Sequence, residues 1–195
     1  METKTVYFEK PGAENTDSVL ALARQRAKEL GIKTIVVAST KGNTAVKAVD
    51  AFQRLRVIAV TLPTGLREPN LQNFTEENRK IVEGKGGIIL TTTLIFSGVS
   101  RALHQRNLPS VPHHYVAGDL IASTLRVFSQ GMKVACEIAT MAADAGLVRT
   151  DEEVIAIGGT GAAGAGADTA IVVQPSNAHR FFDLRVKEII CKPRL

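Results

Sequence analysis

The chain has no tryptophan, only 5% aromatic residues and 2 cysteines. With so few aromatics, and with no RNP-like or Cys/His finger pattern, the excess of basic residues is left as the sole pointer to nucleic acid, and nucleic-acid binding is not expected. Cys136 falls in a helical pattern and Cys191 in a strand pattern, without CxxC or histidine company. Both read as buried apolar residues of a reducing compartment, not as a disulfide or metal framework. Runs of like charge are missing too: the net charge of +5 comes from basic residues scattered among acids, as in Arg24, Arg26 and Lys28 beside Glu29, or Lys187 beside Glu188. Such scatter describes a solvated face. The uncharged stretch from Val154 to Ala167 is 14 residues of mostly Gly and Ala, too short and too weakly apolar to span a bilayer, so no membrane association is expected. Met1 to Lys10 has no apolar h-region behind it, which points to the cytoplasm.

What is present is the balance of an ordinary folded domain, 195 residues with 45% hydrophobic and 22% charged side chains, enough for one α/β domain over residues 1–195. Helical and strand periods alternate along it. Val19, Leu20, Ala23, Ala27 and Leu30 recur at three- and four-residue spacing, with Thr16 or Asp17 able to cap the helix and Gly31 to end it. Lys33 to Ala38 is β-branched on both faces and predicts a buried strand, a helix follows from about Gly42 to Gln53, and Arg56 to Thr61 predicts the next buried strand. That is a βαβ unit with an expected right-handed crossover. Leu62 to Phe74 reads as loop, Thr75 as the cap of a helix through Val82, and Gly86 to Thr91 as a third strand. Helical patterns begin near Ser97 and Gly98 and continue over Asp119 to Ser129 and Met132 to Ala145. Strands are predicted at Glu153 to Ile157, Thr169 to Val173 and Leu184 to Ile190, the last alternating as an edge strand would.

In an open parallel sheet, ligands bind beyond the carboxyl ends of the strands. Four such ends here are rich in hydroxyls and glycine: Ser39, Thr40, Lys41, Gly42, Asn43 and Thr44; Thr61; Thr91, Thr92 and Thr93; and Gly158, Gly159 and Thr160. The first joins a strand to a helix, so Gly42 can let the backbone approach an anion, the helix N-terminus presents free N–H groups, and Lys41 adds a positive charge. A phosphate pocket and a simple helix cap through Ser39 and Thr44 both fit that loop. It is neither a Walker A loop nor a GxGxxG turn, which removes the usual pointers to nucleoside triphosphate hydrolysis. The stretch Gly158 to Thr169, with five glycines including Gly164 and Gly166, can wall the opposite side of a ligand or serve as a flexible connection.

Candidates for catalysis are fewer. His113 and His114, with His104 and Asp119, make a cation site conceivable, although adjacent histidines lack helical ligand spacing. Asp119, Glu137 and Asp144 lie in helical patterns where surface or capping roles suffice, and neither GxSxG nor HExxH occurs. No catalytic constellation emerges.

The run Ile35-Val-Val-Ala-Ser-Thr-Lys-Gly-Asn-Thr-Ala45, then Val57 to Thr61, then Glu153-Val-Ile-Ala-Ile-Gly-Gly-Thr160 leading through the glycine stretch to two closing strands, resembles the C-terminal domain of pyruvate kinase. The whole chain looks like a group of stand-alone, mainly archaeal proteins built on that domain alone. The resemblance implies a three-layer α/β/α fold with a mostly parallel five-stranded sheet. In pyruvate kinase the matching loop can hold a phosphate of a sugar bisphosphate effector, which by position implies Ser39, Gly42 and Thr44. Lys41 stands where that family usually has a hydroxyl residue and Asn43 where arginine is common, so the implied ligand differs. Pyruvate kinase chemistry belongs to a barrel domain that has no counterpart in this sequence, and that activity is not expected.

The expected function is binding of a phosphorylated small molecule, of the flavin mononucleotide (FMN) or sugar phosphate class, with Leu94 and Phe96 able to cover a flavin ring. The alternatives are an enzyme that uses that ligand, and a regulatory or assembly module with a vestigial pocket. A homo-oligomer is a further expectation if the apolar helix Met132 to Ala145 docks on a copy of itself; the same face can instead cover its own sheet.

Overall fold

Valine, isoleucine and alanine occupy both faces of the central strands, and that choice of residues sets the layers. In the computed structural model, which describes residues 2–105, 117–160 and 166–194, β2 (Thr34–Ala38) pairs in parallel with β3 (Arg56–Val60) and with β5 (Val154–Gly158). Val36 lies opposite both Ile58 and Ala156, and these three side chains join one core; Ile35, Val57 and Ile155 alternate into the other. One core lies under α1 (Thr16–Leu30), α2 (Asn43–Ala51) and α3 (Glu76–Gly84), where Val19, Ala23, Phe52 and Val82 are buried. The other lies under α6 (Gln130–Asp144), through Met132, Ala135, Ala139 and Ala142. Residues buried on both faces are what a sheet sandwiched between helices requires.

The sheet has seven strands in the order β1-β7-β6-β5-β2-β3-β4, where β1 is Val6–Phe8, β4 Ile88–Leu90, β6 Thr169–Gln174 and β7 Arg185–Pro193. It is mixed, not the five-stranded, mostly parallel sheet expected: β6 runs antiparallel to both β5 and β7. Only residues 159–168 separate β5 from β6, too few for the long crossover that parallel neighbours need. β7 is not an edge strand, because β1 pairs with it in parallel through Val6 and Cys191. Three residues are too short to show a period, so β1 was invisible to pattern.

Helix ends mostly follow the local chemistry. Gly31, at φ 70°, ends α1, and the Thr75 side chain accepts from Asn78 N at the start of α3. The start of α1 differs. Asn15 is its N-cap, without a side-chain hydrogen bond, and the Thr16 hydroxyl instead accepts from Ala167 N at 3.0 Å, tying the helix to the approach of β6. α6 covers its own sheet: residues 131–133 and 135–143 are all buried within the chain. Cys136 and Cys191 are buried and free, and burial pushes both thiols up to about 12. No helix among the described residues is long and apolar enough to cross a membrane.

Candidate functional site

The carboxyl ends of β2, β3 and β5 open into a cavity of about 750 Å³. Its strand-end wall is made by Ala38, Ser39, Thr40 and Thr44, by Val60 and Thr61, and by Gly159, Thr160 and Gly166. At β2, Ser39 N donates to Val60 O at 3.0 Å and so continues the ladder, which leaves the hydroxyl to accept from Ala45 N at 3.2 Å in the first turn of α2. Ser39 therefore does the work of a cap from outside the cap position, which Gly42 occupies. The amides of Asn43 and Thr44 lie in the same first turn, beyond the reach of the helix ladder. Gly42 adopts φ 103°, and a Cβ there would lie 2.4 Å from Asn78 Cβ. Asn78 Nδ2 donates to Lys41 O and to Asn43 Oδ1, each at 2.9 Å, while Thr75 N donates to Lys41 O at 3.2 Å. Lys41, Gly42 and Asn43 thus form the outer side of the loop, braced by α3, and do not line the cavity.

At the next strand end, Thr61 donates to Leu62 O at 2.9 Å, which leaves Thr91 to donate to Thr61 across 2.8 Å. Thr91, Thr92 and Thr93 stand outside the cavity lining, whereas Leu94 and Ser97, just beyond them, belong to it. The glycines at the end of β5 are set by packing. A Cβ on Gly158 would meet Gly131 O at 2.4 Å, one on Gly159 would meet Gly166 O at 1.9 Å, and one on Gly166 would meet Ala13 Cα at 2.3 Å. Asp168, fully buried, fastens this neck. Its carboxylate accepts from Thr160 N at 3.0 Å, from the Thr160 hydroxyl, and from the Thr169 hydroxyl at 2.8 Å. Thr169 in turn lies 3.2 Å from the Ser129 hydroxyl that caps α6 by accepting from Met132 N.

The opposite wall is one face of α6. Gln130, Lys133, Val134, Glu137 and Ile138 line the cavity, and their spacing of three, four, seven and eight residues is a single helical stripe. Lys133 is 5% exposed and Glu137 2%, and they form an ion pair one helical turn apart. Glu137 also accepts from Phe96 N at 3.2 Å, and the Lys133 ammonium sits 5.4 Å from the centre of the Phe96 ring, itself packed edge-on against Phe181. Phe96 is therefore buried behind the wall and does not line the cavity. Arg67, Arg101 and Arg126 surround the cavity, so among the described residues four cations stand against the carboxylates of Asp119 and Glu137.

The model of the pyruvate kinase alpha/beta domain matches residues 17–173, most of the chain. This chain belongs to that family. Among solved structures it is similar to pyruvate kinase of Cryptosporidium parvum in complex with ADP, at 15% identity and a TM-score of 0.39, covering 85% of this chain and 24% of that one. A second pyruvate kinase structure from the same organism is similar at 15% identity and a TM-score of 0.35, covering 76% and 21%. The chain thus spans about a quarter of the length of these enzymes.

Within this pyruvate kinase alpha/beta domain, Ser39, Thr40, Thr44, Thr61, Gly159, Thr160 and Gly166 line one cavity. Gly164, His113 and His114 lie outside the described residues; of the conceivable cation site, Asp119 lines the cavity and His104 is placed only as a backbone position in a helix. No group of three or more His, Cys, Asp or Glu that could hold a metal occurs among the described residues. Glu137 is the clearest correction: it is a buried member of the cavity wall, not a surface residue. The available signal was a Lys and a Glu four residues apart in a stretch, Met132 to Ala143, whose other residues are Ala, Met, Ile, Val, Cys and one Thr, where a charge has little reason to sit unless it faces something. Asp144 does cap: it accepts from Ala178 N at 3.0 Å, at the start of a short 3₁₀ segment.

Proposed function

We infer that the domain binds a phosphorylated small molecule, with the phosphate seated at the Ser39–Thr44 loop and the remainder lying in the cavity toward Thr61 and Thr160. The supporting observation is that the N-terminus of α2, the hydroxyls of Thr40 and Thr44 and a surplus of cations open onto one cavity of about 750 Å³, the size range of cofactor sites. Free N–H groups at a helix start and nearby arginines are the chemistry that phosphate selects. FMN and sugar phosphates are the two classes that suit this cavity. For a flavin, Leu62, Leu66, Leu94, Val134 and Ile138 supply the apolar lining that its ring needs. The reading assigns binding and not phosphoryl transfer from phosphoenolpyruvate. Native mass spectrometry of gently purified protein, set against its denatured mass, tests it, with saturation by added FMN and glucose 6-phosphate as the second arm. Added mass equal to FMN or a sugar phosphate, or saturable binding of either, is the expected result. A bare protein that binds neither compound overturns the reading.

A further inference from the structure

The geometry points to Lys133 as the reader of a carboxylate on the ligand, set away from the phosphate, so that the ligand is a phosphorylated acid. This inference rests on the phosphate reading above and adds the chemistry of the ligand's other end. Lys133 and Glu137 are the two charged residues of α6 that face the cavity, on a helix whose remaining buried residues are almost all apolar. Burying an ion pair in such a setting adds little stability over an apolar pair of the same size, so its position on the cavity face calls for another role. An ammonium carries three donors. One is used on Glu137, the Phe96 ring occupies one side, and no other acceptor for Lys133 is found among the described residues. The remaining donor capacity belongs to whatever fills the cavity. An ionised acceptor satisfies a buried ammonium best. Glu137, held by Phe96 N, keeps the Lys133 side chain against the wall and acts as its positioning residue.

The test compares 6-phosphogluconate with glucitol 6-phosphate, two six-carbon phosphates that differ only at carbon 1, a carboxylate in one and a hydroxymethyl group in the other. Titration calorimetry on the full chain is expected to show tighter binding of 6-phosphogluconate by about tenfold to a hundredfold, the range of one charge-assisted hydrogen bond. In the double variant Lys133→Met/Glu137→Gln, which leaves no unpaired buried charge, that preference is expected to vanish, so that the two compounds bind alike. Equal binding of the two phosphates by the unaltered protein overturns the role of Lys133 and leaves the phosphate site standing. A preference that survives in the double variant also overturns it, assigning the carboxylate to the arginines around the cavity. Binding of neither compound overturns this inference and counts against the phosphate reading as well.

Discussion

The two walls of the cavity are built on opposite principles. The strand-end wall is made of small residues and backbone: Ser39 caps α2, Thr61 and Thr91 satisfy each other, and neither Gly159, pressed against Gly166 O, nor Gly166, pressed against Ala13, has room for a side chain. Its polar groups are held by hydrogen bonds that survive without a ligand. The α6 wall is made of long charged side chains that satisfy one another only in part, with Lys133 and Glu137 paired and Arg126 Nε donating to Gln130 at 2.7 Å. One wall is a rigid frame fixed by the fold; the other carries charge whose best partner is a ligand.

That contrast can be broken by substitution, and the largest effect belongs to the charged wall. Lys133→Met alone strands Glu137 as a buried, unpaired carboxylate and is expected to cost about 3–5 kcal/mol in urea unfolding, most of it regained in Lys133→Met/Glu137→Leu. Equal stability of single and double variants would mean that these charges are solvated and the walls are alike. On the frame side, Gly159→Ala drives a methyl into Gly166 O and is expected to cost about 2 kcal/mol in the same assay, since both contacting atoms belong to backbone. Ser39→Ala removes the acceptor for Ala45 N, with an expected loss of about 1 kcal/mol and weaker phosphate-monoester binding in calorimetry. The smallest effect is on pH. Buried thiols at about 12 stay protonated in the folded chain while the unfolded chain releases its protons near the ordinary value of 9.0, so stability falls as pH rises through that window. Cys136→Ala, on the side of α6 away from the cavity, is expected to flatten the alkaline part of a urea-midpoint profile.

The frame was readable in the sequence because its causes are local. A β-branched run followed by Ser39 to Thr44 declares a strand end and a helix start, and hydroxyls with glycine mark where backbone must do the binding. The individual roles were less readable. Gly42 is required where α3 presses Asn78 against it, and Gly159 where the neck closes, contacts between residues far apart in sequence or across a loop. The same holds for the sheet: β1 is three residues long and is defined by pairing with β7 at the far end of the chain. Glu137 looked like a surface acid because helical periodicity alone gives a polar position, not what that position faces.

The most direct test of the phosphate site is a titration of the isotopically labelled protein with inorganic phosphate, followed by amide chemical shifts. Saturable shifts concentrated at Thr40, Asn43, Thr44 and Thr160 are the expected result. Shifts scattered over the exposed basic residues of α1, such as Arg24 and Lys28, with the α2 N-terminus unmoved, would contradict it.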